Sequence, residues 1–182
     1  MVYLDDFDKI YFCQHFQRTS TQIANKRSLF NYNTYDFAAD VAVLRTVKPT
    51  ESKFRYGISG AITHSDDFEK VYVGGALVGF TDENKWKPVI LITDRDIEDG
   101  TKNLVALENL QAGNTGFSSH TDFPLVEHLI VSCDTTNGAG KILGTTSNRD
   151  SGVEGNMVYA FALHTSAGSQ CVPTGTDVKW VF

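Results

Sequence analysis

A chain of 182 residues with 41% hydrophobic, 12% aromatic and 21% charged side chains has enough apolar material to bury a core without a metal or disulfide staple, which excludes a disordered chain. The length is that of one domain, 1–182, rather than two. A net charge of -6, with no run of five Lys or Arg, excludes a phosphate-attracting field, so nucleic acid is not an expected partner.

The first fifteen residues carry Asp5, Asp6 and Asp8 where a secretory signal would be basic and then apolar, so no export address is expected. Leu4, Phe7 and Tyr11 fall on one side of a weak helical pattern over Tyr3 to Tyr11. Asp40 to Val47 predicts a strand. Phe54, Tyr56, Ile58 and Ile62 then alternate with polar residues, as a half-buried antiparallel strand requires. Val71 to Phe80, Val89 to Thr93 and His128 to Cys133 are nearly continuous apolar runs, suited to the interior of a sandwich and too short to span a bilayer. Gly74-Gly75 inside the first of these predicts a bulge. Asp82-Glu83-Asn84-Lys85 puts Trp86 in a polar loop, which makes its ring a candidate contact platform for a protein, receptor or carbohydrate.

Thr101 to Gln111 is the best helical stretch, with Leu104, Leu107 and Leu110 at helical spacing and Gly113 as a stop. Gly138-Ala139-Gly140 and Ser166-Ala167-Gly168-Ser169 predict turns. Tyr159, Phe161 and Leu163 alternate with Ala160, Ala162 and His164, and Val178, Trp180 and Phe182 alternate with Asp177 and Lys179. With Val172 to Thr176 between them, the last two strands make a C-terminal hairpin. The number of short strands implies an all-β, antiparallel fold, a β-sandwich of jelly-roll-like form or a barrel, with at most one or two short helices.

Three constellations bear on chemistry. Asp94, Asp96, Glu98 and Asp99 before Gly100 form an acidic loop that is a weak calcium candidate. The glycine stands one place late for an EF-hand loop, and a solvated turn is the simpler reading. His120, Asp122, Glu127 and His128 contain metal-ligating types, but Glu127 and His128 point to opposite faces of a regular strand. Cys13, Cys133 and Cys171 lack CxxC spacing. They read as buried thiols, with Cys133 and Cys171 a pair that bridges in an oxidising compartment.

Asp40-Val41-Ala42-Val43-Leu44-Arg45, Asp150-Ser151-Gly152 and Leu163-His164-Thr165 together resemble patches of the chymotrypsin-like serine proteases, of the viral type that prefers glutamate or glutamine. The resemblance implies His15 as general base, Asp40 as its orienting partner and Ser151 as nucleophile. It also implies Thr146 and His164 as the specificity pocket. Only 14 residues precede His15, however, and Arg149 stands where the family has an oxyanion-hole glycine. The function expected first is therefore a non-catalytic structural or interaction domain without a cofactor. A virion capsid, fibre or tail component, or an adhesin-like module, fits the pattern. Its expected partners are proteins, above all copies of itself in a homo-oligomer, on a virion or extracellular surface. The protease is the alternative.

Overall fold

A computed structural model of the chain describes residues 2–4, 9–13, 30–47, 54–79, 86–95, 103–106, 123–149 and 157–181. Among them every regular element is a strand. In chain order these are β1 (Val2–Leu4), β2 (Lys9–Cys13), β3 (Phe30–Asp36), β4 (Val41–Val47), β5 (Phe54–His64) and β6 (Lys70–Gly79). They continue with β7 (Trp86–Asp94), β8 (Asn103–Ala106), β9 (Phe123–Cys133), β10 (Gly140–Arg149), β11 (Met157–Thr165) and β12 (Pro173–Val181). The strands build three four-stranded antiparallel sheets, β1 to β4, β5 to β8 and β9 to β12. In each sheet the spatial order follows the chain, and none closes into a barrel.

The two stretches with helical spacing are strands where they are described. Leu104 and its neighbours in β8 pair with Val89–Ile92 of β7, so a ladder of backbone hydrogen bonds overrides the local leucine periodicity. Val2–Leu4 and Lys9–Cys13 likewise pair with each other as β1 and β2.

The second sheet lies in the middle of the molecule. Val71, Tyr72 and Val73 of β6, and Val89, Ile90, Leu91 and Ile92 of β7, are all buried, so both faces of these strands are covered. This is why their sequences run apolar without alternation. One face meets the third sheet in a core that joins Tyr72, Ile90 and Ile92 to Val126, Val131, Ile142, Phe161 and Leu163. Close approach at this seam needs Gly74, because a Cβ there would stand 2.5 Å from Cγ1 of Val126. The first sheet lies against β5, and the buried Tyr11 of β2 donates its hydroxyl to the Arg95 carbonyl at the end of β7.

Bulges set which residues face inward. The bulge expected at Gly74-Gly75 is not in β6, which keeps regular register with β7 there, but in its partner β5, where Gly60 is the extra residue between Ser59 and Ala61. A second shift at Arg55 means that strict alternation from Phe54 to Ile62 does not hold. In β9 the extra residue is Glu127, since Val126 faces Thr146 and His128 faces Thr145. A bulge reverses the alternation beyond it. Val126, Val131 and Cys133 are accordingly buried, while His128, Ile130 and Ser132 are exposed. The run from His128 to Cys133 is thus an alternating strand with one open face, and the apolar stretch Leu129-Ile130-Val131 concealed it.

In β11, Phe161 and Leu163 are buried and His164 is exposed, as the alternation predicts, whereas Ala162, expected on the side of His164, is buried as well. Trp180 and Val178 of β12 take the register positions opposite them. Pro173 opens β12 at the sheet edge, where its missing N–H breaks no ladder. Cys133 and Cys171 form a disulfide with Cα atoms 5.8 Å apart, so two of the three cysteines are bridged rather than free.

Candidate functional site

Three turns meet at one end of the second and third sheets. The turn between β5 and β6 is tied to the end of β9 by the Asp66 amide, which donates to the Cys133 carbonyl at 2.8 Å. Asp67 is the hub. Its Oδ1 accepts from Ser65 Oγ at 2.5 Å and from the Glu69 amide at 3.3 Å, while its Oδ2 accepts from the Thr135 amide at 2.8 Å and from the Thr135 hydroxyl. Partial burial pushes this carboxyl up. The bonds from the Ser65 and Thr135 hydroxyls and from the Thr135 and Glu69 amides outweigh that and hold its pKa down at about 2. With four donors on its two oxygens, Asp67 is a fixed anchor rather than a proton-transfer group.

The turn between β11 and β12 is sewn on in turn. The Gly168 amide donates to the Asn137 carbonyl at 3.0 Å, and Ser169 Oγ donates to the Gly138 carbonyl at 3.1 Å. Gly138 has φ +71°, and a Cβ there would also meet the Ser169 amide nitrogen at 2.8 Å, so both conformation and space favour glycine. The buried Tyr72 hydroxyl donates to the Cys171 carbonyl at 2.8 Å. Burial first, and then the charges of Asp67 and Asp66, push the Tyr72 phenol well above its ordinary range. Alongside, Lys70 pairs with Asp94 and the His64 ring packs on Phe68 with centroids 4.3 Å apart. This end is a hydrogen-bonded platform in which Ser65, Asp67, Lys70, Tyr72, Thr135 and Ser169 bond to neighbouring turns and strands.

The residues singled out for catalysis are scattered among these elements or lie outside the described residues. His15 and Ser151 lie outside them. Asp40 ends the turn between β3 and β4 at φ +51°, exposed, and its carboxylate accepts the Tyr35 hydroxyl, a bond that pushes the Tyr35 phenol up. Thr146 is fully buried on the inner face of β10, its hydroxyl without a hydrogen-bond partner. His164 is exposed on the outer face of β11, opposite Lys141. Thr146 and His164 therefore look to opposite faces of one sheet and line no common pocket.

Trp86 is the first residue of β7, paired with Val78 rather than set in a loop. Of the acidic quartet, Asp94 closes β7 and is held by Lys70, while Asp96, Glu98 and Asp99 lie outside the described residues. His120 and Asp122 lie outside them too. Among the described residues no three His, Cys, Asp or Glu side chains gather as a metal site would require.

Two exposed apolar patches went unnoticed in the sequence. On the outer face of the third sheet, Ile130 is 67% and Leu143 42% exposed. The two are direct cross-strand partners, and Leu143 is in turn opposite Ala162, so they form one row. The alternation of Lys141, Leu143 and Thr145 along β10 was the signal that could have revealed it. At the tip between β3 and β4, Phe37 is 49% and Val41 47% exposed. Phe37 stands edge-on to Tyr35, and the Ala39 amide donates to Asp36 Oδ1 at 3.0 Å, closing the turn. Here the signal was an aromatic residue inside an Asp-bounded, Ala-containing turn. Compared with known proteins, the chain matches no family model, no curated protein and no solved structure.

Proposed function

We propose that this chain is a non-catalytic interaction domain that works within an assembly of its own copies, in the manner of a virion capsid, fibre or tail component or an adhesin-like module. The observation that carries this reading is the row of Ile130 and Leu143 on the outer face of the third sheet. Adjacent large aliphatic side chains on an open sheet face are apolar surface of the kind that a protein partner can cover.

Covering the exposed parts of these two side chains is worth about 3 kcal/mol, a factor of about 100 in association. The platform of hydrogen-bonded turns supports the same reading, because a preorganised scaffold presents such a face at little entropic cost. Equilibrium sedimentation tests it. The 20.1 kDa chain is expected at a multiple of its own mass, and Ile130→Asp with Leu143→Asp is expected to weaken association about 100-fold. A wild-type chain that stays monomeric at high concentration overturns the reading. So does labelling by a fluorophosphonate that Ser151→Ala abolishes.

A further inference from the structure

We infer that the copies join head to tail, with the tip between β3 and β4 of one copy seated on the outer face of the third sheet of the next. This inference rests on the assembly reading above and names the two surfaces that meet. Its basis is that, among the residues whose side-chain exposure is described, the large hydrophobic side chains that stand strongly exposed are Phe37, Val41, Ile130 and Leu143. They fall into two patches, on different sheets, with opposite polar surroundings.

The tip is acidic. Phe37 and Val41 stand between and beside Asp36 and Asp40, and each carboxylate keeps acceptor capacity beyond its bond to Ala39 or Tyr35. The sheet face carries the complement. Exposed Lys141, His128 and His164 surround Ile130 and Leu143, all of them donors or cations. The outward positions His128 to Ser132, Lys141 to Thr145 and Ala160 to His164 hold no carboxylate. In a chain of net charge -6, a surface on β9 to β11 whose exposed ionisable groups are basic, with half-buried Glu127 at the bulge beside His128 the nearest acid, favours an acidic partner, and this chain supplies one at its own tip.

The tip is the turn that joins β3 to β4, and the row of Ile130 and Leu143 is bordered by exposed Ser132 and by Ala162, which is buried. Because the two surfaces differ, the contact is heterologous: each copy retains one unused tip and one unused face, so the assembly closes as a ring or extends as a filament.

Mixing two disabled copies tests this. One copy carries Phe37→Asp with Val41→Asp, and the other Ile130→Asp with Leu143→Asp. Circular dichroism and an intact disulfide are checked on each. Each copy alone is expected to sediment as a monomer. Their mixture is expected to give a one-to-one dimer, since one copy keeps its face and the other its tip. Lys141→Glu, a single change at an exposed position, is expected to weaken wild-type association and to invert its salt dependence, added salt then strengthening it by screening the new repulsion against Asp36 and Asp40.

A tip variant that assembles like the wild type overturns the inference and leaves the assembly reading standing. Two monomeric variants that do not combine overturn it as well, because a contact between like surfaces cannot be restored by mixing. A monomeric wild type instead removes the assembly reading on which it rests.

Discussion

Reduction of the Cys133–Cys171 bridge to two thiols perturbs the protein without changing its sequence, so its effect can be worked from the structure alone. The bridge closes 38 residues of chain, spanning the turn between β9 and β10, both inner strands of the third sheet and the turn that follows β11. In the chain-entropy account a loop of this length restrains the unfolded ensemble by about 4 kcal/mol at 25 °C. The folded state adds its own demand. Cys171 sits at φ +63° beside Gln170 at φ +51°, a conformation that costs a non-glycine residue roughly 1 kcal/mol and persists only when its surroundings fix it.

Urea unfolding followed by circular dichroism, with and without a phosphine reductant, measures the difference. With a slope of about 2 kcal/mol per molar urea, the midpoint of the reduced protein should fall by about 2 M. A double variant, Cys133→Ala with Cys171→Ala, should reproduce the reduced midpoint and become indifferent to reductant. A shift below about 0.5 M would refute the entropic reasoning and place the third sheet's stability in its packing.

Two further predictions concern single side chains. The folded pKa of Asp67 is held at about 2 against an ordinary 3.8, so its contribution is complete above pH 3.8 and is lost as pH falls toward 2. Partial exposure brings that contribution to about 1–2 kcal/mol. Asp67→Asn should therefore lower the urea midpoint at pH 7 and leave it unchanged near pH 2; an equal loss at both values contradicts the assignment. At the seam between sheets, Gly74→Ala drives a Cβ against Val126 and should destabilise by about 1–3 kcal/mol. Adding Val126→Ala should recover part of that loss, and strict additivity of the two changes would show that they do not touch.

The all-β class was legible because turn residues and period-two stretches recur along the whole chain. Alternation held at Phe161, Leu163 and His164 in β11, although the small Ala162 among them is buried as well. It failed where the determining partner lies elsewhere in the chain. Leu104, Leu107 and Leu110 obey a helical spacing, yet Leu104 belongs to a strand because Leu91 is opposite it. The bulge at Glu127 depends on how β10 pairs, and no local pattern announces it. Since that bulge turns Ile130 outward, the surface on which the functional reading depends was hidden for the same reason. Cys133 and Cys171 could be named as a pair from their types and compartment logic, but their closeness arises from the hairpin of β10 and β11, which returns the chain to its starting end.

The sequential order of every sheet also governs how the molecule is made. No strand waits for a partner beyond the next turn, so each sheet grows by zipping one hairpin onto the last, and the slow search typical of crossed β topologies is avoided within it. What remains non-local is the docking of completed sheets, and the contact of Gly74 with Val126 and the bond from Tyr72 to Cys171 belong to that step. Substitutions inside a hairpin should then alter the rate of folding, whereas substitutions at the seam should chiefly alter the rate at which the finished sheets come apart.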